Sequence, residues 1–157
     1  MRWDQRSRLC QVLRLGGYVS FDLPRTVTAL GALMLTGIAA SHGYVLIVDA
    51  PLPAYFAFYA AGVITACLVV AGLLWLAFKP AVAQVSWFVG DLVCLALLGI
   101  YFASRAVSLP GLVAVTGRWD FAPGTFTFVL AGAFLVLHMS VLLGINVSYP
   151  RRQNWRD

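Results

Sequence analysis

The stretch VAQVSWFVGDLVCLALLGIYFAS, residues 82–104, decides the fold of this chain. Its 23 residues are almost all apolar, and the only charged side chain among them is Asp91. About 20 consecutive apolar residues suffice for an α-helix to cross the hydrocarbon core of a bilayer. The stretch is therefore predicted to be a transmembrane helix.

Three further apolar stretches of the same kind accompany it, at residues 26–48, 54–78 and 125–147. Two of the connections are short and contain proline: residues 49–53 and Lys79-Pro80. Short connections make consecutive helices antiparallel neighbours. The sequence therefore predicts an all-α, four-helix transmembrane bundle, with one longer loop between helices 3 and 4 at residues 105–124.

The composition supports a single membrane-embedded domain. Of 157 residues, 61% are hydrophobic and 11% are charged, and the mean hydropathy is +0.86. A soluble domain carries roughly a quarter charged residues. These values exclude a soluble globular protein, a disordered chain and a nucleic-acid-binding protein.

The distribution of positive charge predicts the orientation. Arginines are concentrated in the N-terminal arm (residues 1–25) and in the tail (residues 148–157), and Lys79 lies in the second link. With four spans, all of these charges share one side. Positive residues favour the cytoplasmic side, so both termini are predicted to be cytoplasmic and the 105–124 loop external. A bacterial inner membrane fits best.

Basic and tryptophan side chains near the ends of the spans are expected to anchor the bundle at the membrane interface, since both prefer the headgroup region. The N-terminal arm is predicted either to lie along the membrane surface or to be a solvated flank. The predicted anchors are Arg2, Trp3, Arg6, Arg8, Trp119, Arg151 and Arg152.

Ionisable residues inside the membrane are functional candidates because burying them is costly. Asp91 and His138 each lie ten residues, or roughly 15 Å, from the predicted cytoplasmic end of their span. Because the two helices are consecutive and antiparallel, we expect the two side chains to meet near the midplane. They could form a structural pair that fixes helix register, or a proton- or substrate-binding site. Asp91 could also face a basic side chain of a partner protein.

His42 is the third such candidate, near the predicted outer end of the first span. His42 and His138 are weak candidates for haem ligands, because their estimated depths differ by roughly 10 Å. Aromatic residues in the outer half, including Tyr101 and Phe128, are expected to form an interfacial belt. The alternative is a groove for a quinone or a lipid tail. We predict no resident cofactor and no metal.

No catalytic motif occurs in the sequence, and the complete absence of glutamate leaves few groups for acid–base catalysis. The favoured hypothesis is a non-catalytic accessory or scaffolding subunit of a larger respiratory, photosynthetic or transport complex, surrounded by lipid and other membrane subunits. One alternative is a small proton-coupled transporter that uses Asp91 and His138, as a homodimer. Another is an anchor subunit that binds haem or quinone.

Overall fold

The computed structural model describes residues 23–48, 52–76, 79–108, 110, 117, 119 and 121–148. Four α-helices account for most of them: α1 (Pro24–Val48), α2 (Ala54–Leu76), α3 (Pro80–Ala106) and α4 (Ala122–Leu142). Each is long and apolar enough to cross a membrane. The prediction of an all-helical protein with four membrane-spanning helices is confirmed in this respect.

Proline marks the starts of the helices. Pro24 and Pro80 are first residues, and Pro123 lies in the first turn of α4. Proline is favoured there because its missing N–H would have no partner inside the helix. Pro53 precedes α2, and its carbonyl accepts hydrogen bonds from Phe56 and Ala57 at 3.0 and 3.2 Å. The prolines that separate the apolar stretches in the sequence therefore also start the helices.

The helices form a ring in which α1 packs on α2 and α4, and α3 packs on the same two helices. Side-chain contacts fix the directions. His42 near the end of α1 contacts Tyr59 near the start of α2, and Tyr101 near the end of α3 contacts Phe128 near the start of α4. A hydrogen bond from Thr127 near the start of α4 to Ser41 near the end of α1 relates the two pairs. Neighbouring helices are thus antiparallel. We call the end where α1 and α3 begin the first end, and the opposite end the second end.

The helix bounds differ from the predicted spans mainly in α4. This helix begins three residues earlier than expected and ends at Leu142, five residues before the predicted end at Val147. Gly144 has a φ of 74°, a left-handed conformation that breaks the helix. Beyond it the amide of Ile145 donates to the carbonyl of Ser140 at 2.9 Å, so the chain turns back at the first end. Phe78, the predicted end of the second span, lies outside the described residues.

Candidate functional site

The contact expected between Asp91 and His138 is present. Nδ1 of His138 lies 2.6 Å from Oδ2 of Asp91, and its N–H donates to the carboxylate. Asp91 is eleven residues after Pro80, about 16 Å from the start of α3 and about 22 Å from its end at Ala106. The pair therefore joins α3 to α4 in the middle part of the bundle.

Helix periodicity places the pair among aromatic rings. Trp87 precedes Asp91 by four residues on α3, and Phe134 precedes His138 by four residues on α4. Residues four apart lie on the same face of a helix. Each helix therefore presents one ring and one polar side chain to the other, and the four side chains meet in the α3–α4 interface.

The rings enclose the imidazole of His138. The Trp87 indole stacks on it, with centroids 5.1 Å apart and planes inclined by 21°, and Phe88 meets it edge-on at 5.1 Å. Trp87 also stacks on Phe134 at 5.0 Å. Trp87, Phe134 and His138 are each 0% exposed. We call Trp87, Phe88, Asp91, Phe134 and His138 the central cluster.

Two glycines make room for these rings. A Cβ on Gly31 of α1 would lie 2.5 Å from the Trp87 ring, and a Cβ on Gly90 would lie 2.5 Å from the Phe134 ring. Real Cβ atoms do not approach other atoms so closely, so any side chain here would displace a ring. Since α1 and α3 face each other across the ring of helices, the contact with Gly31 shows that Trp87 fills the centre of the bundle.

The two side chains of the pair differ in their exposure, and one oxygen of Asp91 has no partner among the described residues. The side chain of His138 is completely enclosed, whereas that of Asp91 is 19% exposed. The second carboxylate oxygen, Oδ1, is buried and has no hydrogen-bond partner among the described residues, and the same holds for Nε1 of Trp87. Burying a polar atom without a partner is unfavourable. The central cluster therefore has unused hydrogen-bonding capacity beside the Asp91–His138 hydrogen bond.

His42 lies at a different level from His138. Its Nδ1 is 3.0 Å from the carbonyl oxygen of Ile38, and its ring meets Tyr59 edge-on. The adjacent Ser41 accepts a hydrogen bond from Thr127, which is eleven residues, or about 16 Å, from His138 along α4. The structure thus does not bring the two histidines together as ligands of one haem. Across the described ranges, no three His, Cys, Asp or Glu side chains lie close enough to bind a metal ion.

A second group of rings lies at the second end, which we call the end cluster: Tyr101, Phe102, Arg105, Trp119 and Phe128. The guanidinium carbon of Arg105 lies 4.8 Å from the centroid of Tyr101, and Arg105 is only 6% exposed. Trp119, a predicted interface anchor, packs on Tyr101 at 6.1 Å and remains 58% exposed. The aromatic residues of this half pack against each other and against one arginine.

Of the predicted interface anchors, the structure describes Trp119. Six of the seven predicted anchors lie outside the described residues: Arg2, Trp3, Arg6, Arg8, Arg151 and Arg152. Four residues around the pair were not predicted as part of the site: Trp87, Phe134, Gly31 and Gly90. The four-residue spacing of Trp87 from Asp91 and of Phe134 from His138 was the signal that could have identified the two rings.

Comparison with known proteins adds no relative. No protein-family model matches the sequence, and no curated protein or solved structure shows significant similarity to it.

Proposed function

We propose that this chain is a non-catalytic accessory or scaffolding subunit of a larger membrane protein complex. The observation that carries this proposal is the enclosure of His138, which is fully buried, hydrogen-bonded to Asp91 and stacked on Trp87. An imidazole held in this way is suited to joining two helices. A catalytic imidazole, by contrast, must be within hydrogen-bond reach of its substrate.

The outer surface supports the same proposal. Each helix directs large apolar side chains away from the bundle; among the most exposed are Leu33, Ile47, Phe58, Leu92 and Val136. In a membrane such faces contact lipid tails or other transmembrane helices, and helix association there depends on close packing. The polar groups of the central cluster are turned inward. The outer surface of the helices is therefore mainly apolar and suited to packing against other transmembrane helices.

Photo-crosslinking in native membranes tests this proposal. A benzophenone amino acid is placed at one exposed position of each helix: Leu33, Leu68, Leu92 and Val136. We expect one or two of the four positions to crosslink to the same membrane protein, which also co-purifies in mild detergent at a fixed ratio. Crosslinks to lipid alone at all four positions, with a stable lone monomer after purification, would contradict the proposal.

A second candidate function is proton-coupled transport, with Asp91 and His138 as the proton-binding pair. The specific observation in its favour is the 2.6 Å contact between a carboxylate and an imidazole far from both ends of α3, together with the partial exposure of Asp91. Such pairs can exchange a proton near neutral pH, and ionisable residues within membranes are often part of proton pathways.

Proteoliposomes distinguish this candidate from the first. Under an imposed pH gradient, a transporter would move protons at a rate that a pH-sensitive dye in the vesicle interior records. Asp91→Asn would abolish that flux, while Gln84→Ala, a change at an exposed polar residue of the same helix, would leave it intact. Equal flux in the wild type, in Asp91→Asn and in empty vesicles would eliminate the transporter.

A further inference from the structure

Two polar atoms of α3 are buried beside His138 without a hydrogen-bond partner in the described part of the chain: Nε1 of Trp87 and Oδ1 of Asp91. Both atoms are buried. Their chemistry is complementary, since an indole N–H can only donate a hydrogen bond and a carboxylate oxygen accepts one. Buried polar atoms in proteins are almost always satisfied, by protein groups or by ordered water.

The two side chains share one face of α3 and one neighbour. They are four residues apart, so their Cβ atoms lie about 5–6 Å from each other. Trp87 stacks on the ring of His138, and Asp91 accepts a hydrogen bond from the same ring. The two side chains that carry the donor and the acceptor therefore border the same imidazole.

We propose that the central cluster binds one internal water molecule, which accepts a hydrogen bond from Nε1–H of Trp87 and donates one to Oδ1 of Asp91. Two hydrogen bonds of 2.7–3.2 Å let a water molecule join atoms up to about 6 Å apart. Internal waters in proteins bind at such sites, where several polar groups converge and protein partners are lacking. The carboxylate then has partners on both oxygens: His138 on Oδ2 and water on Oδ1.

The burial of the site selects water over larger ligands. Trp87 and His138 are 0% exposed, and rings of α3 and α4 surround the imidazole. Oδ1 itself is buried although the Asp91 side chain is 19% exposed, and water is small enough to reach such an atom and can both accept and donate a hydrogen bond. This inference is independent of whether the protein is a subunit or a transporter.

Nuclear magnetic resonance of the full-length chain in micelles tests the proposal, with ¹⁵N incorporated into the tryptophan indoles. Trp87→Phe assigns the Trp87 indole signal among the five tryptophans. Rotating-frame experiments separate dipolar contact with water from proton exchange by the sign of the cross-peak. We expect the wild-type Trp87 indole proton to show a dipolar cross-peak to water.

Two variants connect that signal to Asp91. Asp91→Leu replaces the carboxyl by an apolar group of similar size and should abolish the cross-peak. Ser86→Ala is the control, since Ser86 is a buried neighbour whose hydroxyl already donates to the carbonyl of Val82 at 2.7 Å, and it should retain the cross-peak. The proposal is overturned if the wild-type indole proton shows no dipolar contact with water, or if Asp91→Leu retains that contact.

Discussion

The central cluster and the end cluster each combine an ionisable side chain with aromatic rings, but the rings take different positions around it. Asp91 lies in the middle part of α3 and is hydrogen-bonded to His138 at 2.6 Å. Arg105 lies in the last turn of the same helix, with its guanidinium over the face of Tyr101 at 4.8 Å. The Asp91 carboxylate accepts a hydrogen bond from an imidazole, and the Arg105 guanidinium lies over the face of an aromatic ring.

Position along the helix explains the difference. A charge near the middle of a membrane-spanning helix is far from water, so a close partner of complementary chemistry is needed to offset its desolvation. A guanidinium is more weakly hydrated than other charged groups, so Arg105 can be buried against aromatic rings in the last turn of α3 at a lower desolvation cost. We therefore expect the two clusters to differ in how much stability is lost when one member is removed.

Removing His138 should have the largest effect. His138→Ala leaves the Asp91 carboxylate in the core without its hydrogen-bond donor, and breaking a buried pair in this way costs about 3–5 kcal/mol. Reversible unfolding in mixed micelles with increasing dodecyl sulfate would measure the loss. The double variant Asp91→Leu and His138→Leu should recover most of it, because no unpaired charge remains. A loss below about 1 kcal/mol for His138→Ala would show that the pair is not a major source of stability.

Adding a methyl group beside the central rings should have an intermediate effect. Gly90→Ala places a Cβ 2.5 Å from the Phe134 ring, and overpacking of this kind costs about 1–3 kcal/mol. Gly99→Ala on the same helix is the matched control, because nothing lies within 4 Å of its Cβ and alanine favours the helix. The same unfolding titration should show Gly90→Ala destabilised and Gly99→Ala unchanged or slightly stabilised. Equal behaviour of the two variants would mean that Phe134 can move without cost.

The smallest effect is expected in the end cluster. Tyr101→Leu removes the ring face under Arg105, and a cation–π contact near a helix end contributes about 1 kcal/mol. Tyr101→Phe keeps that ring face and should be close to neutral in the same titration. If Tyr101→Leu proves as costly as His138→Ala, the proposed difference between the two clusters is wrong.

The sequence predicted the parts of the central cluster that depend on one helix at a time. Asp91 and His138 could be paired because they are the ionisable residues at similar depth on consecutive helices. Trp87 was not among the residues predicted for the site. Its position between Gly31, Phe134 and His138 depends on three helices at once, and no spacing within one stretch of sequence contains that information.

The end of α4 is a second feature that could not be predicted from hydropathy. Apolar residues continue to Val147, so hydropathy extends the span to that point, although Gly144 breaks the helix and the chain turns back to the carbonyl of Ser140. A window of hydropathy measures the cost of exposing side chains to water and is insensitive to the backbone conformation of a single glycine.

By itself, the sequence determined that this protein is helical and suited to a membrane. Long apolar stretches must satisfy their backbone hydrogen bonds internally once water is excluded, and the helix does this within each stretch. The tertiary structure alone decided which side chains enclose the Asp91–His138 pair and that Arg105 lies against Tyr101. These contacts depend on the rotation and spacing of whole helices, which are set by how glycines and rings on different helices fit together.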